Sequence, residues 1–330
     1  MLKIKNILIA LASVCMMTTA CDWTEYEPID FTRQSKEESD PEGYAQYLSN
    51  VKEFKSSEHP ICIGSIVACS DRLSSQSQHL MAMPDSMDYI IVKNSFEMND
   101  VQKAEVNEVR EKKGTKSLAY LDIDVIRQAF DKYSESLVES GKPALTEQDL
   151  PDFVKKSAEE FFANEQINLF DGVVVSALGA GDEIISLIKT SVDWFASHPD
   201  KISIFRGSIL NFTDSDNDYL KDCSYIVVVM TDHETTTGSI NLAVSRLVAN
   251  TVAKDRVLAE VTVPSELKPD QVGPTPQAAA QWAVESAAHK KFNAKGIVID
   301  NAYDDYFCPD DSFANVRKAI EIMNSDIIEK

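Results

Sequence analysis

The sequence predicts a single-domain (β/α)8 TIM barrel, and three observations carry the prediction. Eight short apolar runs of strand length recur along the chain, and runs with a helical apolar period alternate with them in strict order;. The 330 residues suffice for one such barrel;. An open doubly wound sheet, the other home of alternating strands and helices, opens with a glycine-rich turn after its first strand. Cys69-Ser70-Asp71-Arg72 contains no glycine;. No repeat of 20–50 residues recurs, which excludes a solenoid.

Residues 1–20 read as a targeting segment. Lys3 and Lys5 precede the apolar run Ile7–Val14, and Thr18-Thr19-Ala20-Cys21 has the form of a bacterial lipobox;. Cys21 is then the first mature residue and carries the lipid. The apolar run is shorter than the ~20 residues a spanning helix needs, so the expected membrane attachment is the lipid alone. Residues 21–55 form an acidic tether and a leading helix, Pro41–Lys55, with Tyr44, Tyr47, Leu48 and Val51 on one face;. The barrel is expected over residues 56–330.

The strands are expected at Ile61–Cys69, Tyr89–Ser95, Ser117–Asp122, Gly172–Ala177, Ile202–Leu210, Tyr225–Met230, Val257–Val263 and Gly296–Asp300. Each is almost wholly apolar, as a strand buried on both faces must be. The helices between them are expected at Asp100–Lys113, Val125–Val138, Leu150–Asn168, Glu183–Ala196, Ser239–Ala253, Thr275–Phe292 and Asp311–Met323. Asn99 and Thr275-Pro276 supply start signals.

A net charge of −21 argues against a nucleic-acid partner, since every phosphate contact would oppose it;. Neutral, hydroxyl-rich ligands are compatible with it. Cys62, Cys69, Cys223 and Cys308 form no C-x-x-C pair and read as small buried residues, so neither a metal nor a cofactor is expected;. Asp214–Asp218 imitates a calcium loop but has Tyr219 where glycine and Tyr225 where glutamate are needed, and reads as a solvated loop;.

In a barrel, function sits at the carboxyl ends of the strands. Those ends carry Ser70, Asp71, Asn94, Ser95, Phe96, Asp122, Asp124, Ser176, Leu178, Arg206, Asp232, His233, Asn301, Tyr303 and Asp304. Polar groups mixed with aromatic rings suit a carbohydrate groove. Asp124 is expected to cap the helix starting at Val125, which leaves Asp122 for the groove. Asp232-His233-Glu234 does not converge on one site, because neighbouring residues at a strand end point different ways, although one of them is expected to face the groove. Trp194 and Trp282 fall within helices and read as packing. Tyr303 and Tyr306 can serve either as stacking platforms or as packed loop.

The stretch Phe170–Gly179, FDGVVVSALG, resembles the fourth strand of glycoside hydrolase family 18, whose pattern is Asp-Gly-x-Asp-x-Asp-x-Glu. Asp171 and Gly172 match. Val174 and Ser176 replace the second and third Asp, and Leu178 replaces the catalytic Glu. The lipobox, Tyr120-Leu121-Asp122 and Asp300–Tyr303 resemble a Bacteroidetes lipoprotein branch of that family, which holds endo-β-N-acetylglucosaminidases and non-catalytic glycan-binding relatives. Met230-Thr231-Asp232-His233 keeps only the Met of the family's strand-six motif, and strand eight lacks the family's Trp. With the acid gone, the resemblance implies a non-catalytic, glycan-binding lipoprotein, surface-exposed on the outer membrane through the acidic run behind Cys21. It would belong to a glycan-utilisation system with SusC/SusD-type outer-membrane partners. Glycan-contact candidates are Asp122, Ser176, Asp232, His233, Asn301 and Tyr303. An active endo-acting hydrolase using a displaced carboxylate, Asp122 or Asp232, is the alternative; a structural or adhesion lipoprotein is the third reading.

Overall fold

The computed structural model describes residues 36–207, 220, 222–229, 256–265, 274–289 and 294–325. Eight parallel strands close into a barrel in sequence order: β1 Ile61–Val67, β2 Tyr89–Lys93, β3 Lys116–Asp122, β4 Gly172–Ser176, β5 Ile202–Gly207, β6 Tyr225–Val229, β7 Val257–Val261 and β8 Ala294–Ile299. The described helices of ten or more residues are α1 Pro41–Ser56, α2 Asp100–Lys113, α3 Ile123–Glu139, α4 Leu150–Ala163, α5 Asp182–Ser197, α6 Pro276–His289 and α7 Ala314–Met323. Pro41–Gln46 falls in a separate compact unit from the barrel, which begins at Tyr47.

The pleat sorts each strand into two layers. Ile61, Ile63, Ile91, Leu118, Val174, Ile204, Val227, Leu258 and Val298 fill the barrel interior. The alternate residues, such as Val173 and Val175 of β4, pack outward with helix residues including Val106, Leu187 and the fully buried Trp282;. Burying a Val or Leu side chain contributes about 1.5–3 kcal/mol, so the short apolar strands are stabilised on both faces. The ring closes where Ile61 pairs with Gly296. A Cβ on Gly296 would stand 1.8 Å from the Ile61 carbonyl oxygen, and φ there is 146°, so only glycine fits the seam;.

Element ends differ from expectation where side chains turn the backbone. β2 stops at Lys93 because Asn94 takes a left-handed φ of 53° and the Ser95 hydroxyl donates to the Val92 carbonyl. β1 ends at Val67, which places Cys69 in the following loop, half-buried like Cys308, whereas Cys62 and Cys223 are buried. The helix expected to reach Asn168 stops at Ala163: Asn164 is extended and its side chain caps a 3-10 turn, Glu165–Leu169;. α7 starts at Ala314 rather than Asp311 because Phe313 is left-handed, its N–H bonded to the Asp305 carbonyl at 2.7 Å.

One capping assignment is corrected. α3 begins at Ile123, directly after β3, and its cap is Asp122, which accepts the Asp124 N–H at 3.1 Å. Asp124 lies exposed in the first turn, paired to Arg127. The helix starts two residues earlier than expected because strand and helix share Asp122 with no loop between them. Asn99 caps α2, as the sequence signals, and Gly114, at φ 69°, ends it;. The expected helix Ser239–Ala253 and the loop Asp214–Asp218 lie outside the described residues.

Candidate functional site at the carboxyl ends of the strands

Six inward positions one pleat above the apolar interior are polar: Ser65, Lys93, Tyr120, Ser176, Arg206 and Glu260. Arg206 of β5 and Glu260 of β7 lie two strands apart and are both buried. They meet through two parallel bonds, Nε to Oε2 at 2.5 Å and a terminal nitrogen to Oε1 at 2.6 Å. The third guanidinium nitrogen donates to the Ser176 hydroxyl at 2.9 Å. Burial acts to lower the guanidinium's pKa, but the charge and hydrogen bonds of Glu260 outweigh it, and Arg206 stays cationic with its pKa raised. Burial pushes the Glu260 carboxyl upward while Arg206 draws it back;. Around them, Lys93 pairs with Asp300 at 2.8 Å and sits over the Tyr120 ring at 5.9 Å, and the Ser65 hydroxyl donates to the Asp300 carbonyl.

This network explains what became of the degenerate motif. Val174 is fully buried in the barrel interior, and Ser176 is buried under Arg206. Leu178 is half-buried just past β4; its carbonyl accepts from Arg127 at 3.1 Å. Arg127 also binds Asp124 and Glu183, which ties the β4–α5 loop to α3 and α5. No carboxyl group stands at any of the three motif positions, and the nearby Glu260 is held in an ion pair.

The two matching residues sit at the opposite end of the strand and have structural roles. Asp171 accepts from Arg110 at 2.9 and 3.1 Å and from the Ser117 N–H at 2.9 Å, joining α2 to β3 and β4. Gly172 passes β5 so closely that a Cβ would lie 2.2 Å from the Ile202 carbonyl oxygen.

Beside the network, a cleft of about 430 Å³ opens at the ends of β2 and β3. Tyr120, Asp122, Lys93 and Asn94 provide polar groups, and Phe96 and Phe161, with ring centroids 4.7 Å apart, form an aromatic wall. Asp122 is half-buried here while capping α3. Burial pushes its carboxyl above the usual carboxylate range, against the pull of the Asp124 amide, Arg206 and Ser176. Mixed polar and aromatic lining of this size suits a sugar.

The other candidate residues are placed differently. The Asn301 amide is buried and bonded to both the N–H and carbonyl of Val263, so it pins the end of β8 to the chain after β7. Tyr303 is half-buried in a 3-10 turn, Ala302–Phe307, and packs on the outer core; Tyr306 does the same. Asp232 and His233, and the lipidation candidate Cys21, lie outside the described residues. The structure therefore brings Asp122 and Ser176 together and separates Asn301 and Tyr303 from the β2–β3 cleft. Lys93 and Glu260 were missed in the sequence. Their signal was a lone charge in an apolar run: Lys93 in YIIVK and Glu260 in VLAEV each call for a charged partner;. Among the described residues, no cluster of His, Cys, Asp and Glu could hold a metal ion.

Among curated proteins no sequence match is found. Among solved structures, a selenomethionine form of BT1044 with one glutamate replaced by glutamine superposes with a TM-score of 0.57 at 14% identity, covering 88% of this chain and 95% of that one. An endo-β-N-acetylglucosaminidase from Cordyceps militaris in apo form gives 0.56 at 13% identity, covering 84% and 96%. At these identities the superpositions establish the shared fold. The sequence model for glycoside hydrolase family 18, BT1044-like, matches residues 24–322. With that match spanning nearly the whole chain, and with a closed eight-stranded barrel around the FDGVVVSALG strand, the protein belongs to the BT1044-like branch of glycoside hydrolase family 18, a family whose work is on glycans.

Proposed function

We propose that the protein binds glycans without hydrolysing them, as a lipid-anchored protein displayed on the outer membrane. The observation that supports this best is the Ser176–Arg206–Glu260 network. A family member hydrolyses through a carboxylic acid poised at the eighth motif position, assisted by an Asp two residues before it, as the resemblance implies. Here Leu178 and Ser176 stand there, and the buried guanidinium occupies Ser176. Loss of a positioned general acid removes roughly 10²–10⁴ in rate. The binding surface is the β2–β3 cleft, with Phe96 as the stacking wall and Asp122, Asn94 and Lys93 as hydrogen-bonding groups. N-acetylglucosamine-containing glycans are the ligand class that the family resemblance favours, and SusC/SusD-type proteins in the same membrane are the expected partners.

One observation favours the alternative of residual hydrolysis. Asp122 is a carboxyl with a raised pKa facing the cleft, the property a displaced acid would need;. A glycan-binding screen run beside a product assay on an N-glycoprotein separates the readings. Saturable binding with no released glycan supports the proposal. Steady turnover abolished by Asp122→Asn refutes it and establishes the displaced-acid hydrolase. Neither binding nor turnover leaves the structural or adhesion role.

A further inference from the structure

A second cavity opens at the opposite end of the barrel. A cavity of about 210 Å³ at the amino-terminal mouth is lined by Lys55, Lys116, Lys295, His59, Tyr89 and Tyr225, with Asp88 as its one carboxylate. Three lysines lining one cavity stand out in a protein of net charge −21. Asp88 does not bond them: one oxygen is taken by His59 Nε2 at 2.8 Å and the other by the Cys62 N–H at 2.9 Å. The Lys55 ammonium contacts the Thr115 hydroxyl at 2.6 Å, whose own proton goes to the Met87 carbonyl. Lys116 lies 5.9 Å over the Tyr89 ring, and Lys295 reaches the cavity from β8. Among the described residues, no carboxylate pairs with any of the three lysines at ion-pair distance. Three lysines without a paired carboxylate, lining a cavity too small for a sugar chain, fit a compact anion;.

We propose that this cavity binds a tetrahedral oxoanion, phosphate or sulfate, either as the free ion or as the ester group of a small molecule. The site is independent of the glycan cleft, and its failure would not bear on that reading. Lys55, Lys116 and Lys295 provide the charge, and the phenols of Tyr89 and Tyr225 add hydroxyls at the wall. The charged groups acting on Lys55 are Asp88 and Asp85, which favour its protonation, and Lys113, which opposes it; burial exceeds them all and lowers its pKa to about 8. A bound anion restores protonation, so binding draws a proton from solution above that pH.

The test is calorimetric titration of the intact protein with inorganic phosphate and with inorganic sulfate at fixed ionic strength, chloride serving as control. A sulfated monosaccharide and its neutral parent form the second arm and distinguish a free ion from an ester. Saturable one-to-one binding is expected, weakened at least ~10-fold by Lys55→Met and by Lys295→Met. Above pH 8 the heat should vary with the buffer's ionisation enthalpy for wild type and not for Lys55→Met. Circular dichroism of each variant checks the fold, and Lys295→Met, at a half-buried position, keeps the test alive should the other misfold. No saturable heat for either ion up to about 10 mM, the range of the weakest specific affinities, overturns the proposal. So does unchanged affinity in a folded lysine variant.

Discussion

Replacing Arg206 by methionine tests the network at the barrel mouth most directly. The side chain makes two charge-assisted bonds to Glu260 and one to Ser176, with both charged partners buried. Methionine fills most of the volume but leaves the Glu260 carboxylate uncompensated. One-sided removal of a buried pair typically costs about 3–5 kcal/mol, a large part of the ~5–15 kcal/mol that holds a domain folded. The double variant Arg206→Met with Glu260→Leu removes the stranded charge and should recover most of that loss. In the single variant, the Glu260 pKa rises well above its unfolded value. The folded state then holds the extra proton, so stability falls as pH climbs above the unfolded carboxylate pKa and is regained on acidification. Urea unfolding followed by circular dichroism, at about pH 7 and about pH 5, reads all of this. A single variant that loses under ~1 kcal/mol at both pH values, or a double variant as unstable as the single, would refute a locked ion pair.

Trp282→Ala should lower stability by about 3–5 kcal/mol, measured by the same denaturation, because the indole is fully buried between α6 and the barrel;. Phe96→Ala should weaken glycan binding about five-fold by titration, the ~1 kcal/mol of one stacked ring, with the fold unchanged; equal affinity moves the ligand off the β2–β3 cleft. Cys21→Ala should release the protein from the membrane fraction, since each acyl methylene contributes ~0.8 kcal/mol of anchoring; a variant still retained there contradicts the lipid anchor.

All eight strands were legible in the sequence because both of their faces are buried, which leaves runs such as YIIVK and GVVVS with no polar face to obscure them;. Placing the candidate site at the strand ends followed from the expected fold. What stayed hidden depended on contacts between distant segments. Glu260 sits 54 residues from Arg206, and neither sequence window shows that both side chains point inward at one height. The sequence reads Asp124 as the cap of a helix starting at Val125 and leaves Asp122 for the groove; with strand and helix joined directly, Asp122 fills both positions. Asn301 looked like a polar group at a strand end, and only the three-dimensional neighbourhood reveals Val263 as its partner.

The seam between β1 and β8 has a consequence for how the chain reaches this state. Those two strands lie at opposite ends of the barrel sequence, and loop-closure entropy makes pairings of such separation slow to form;. Until Ile61 meets Gly296, both strands present bare amide edges, open to pairing with another molecule. Gly296 lets the two backbones approach, so it decides whether the growing sheet ends on itself or on a neighbour. A side chain at that one position would shift the competition from folding toward self-association.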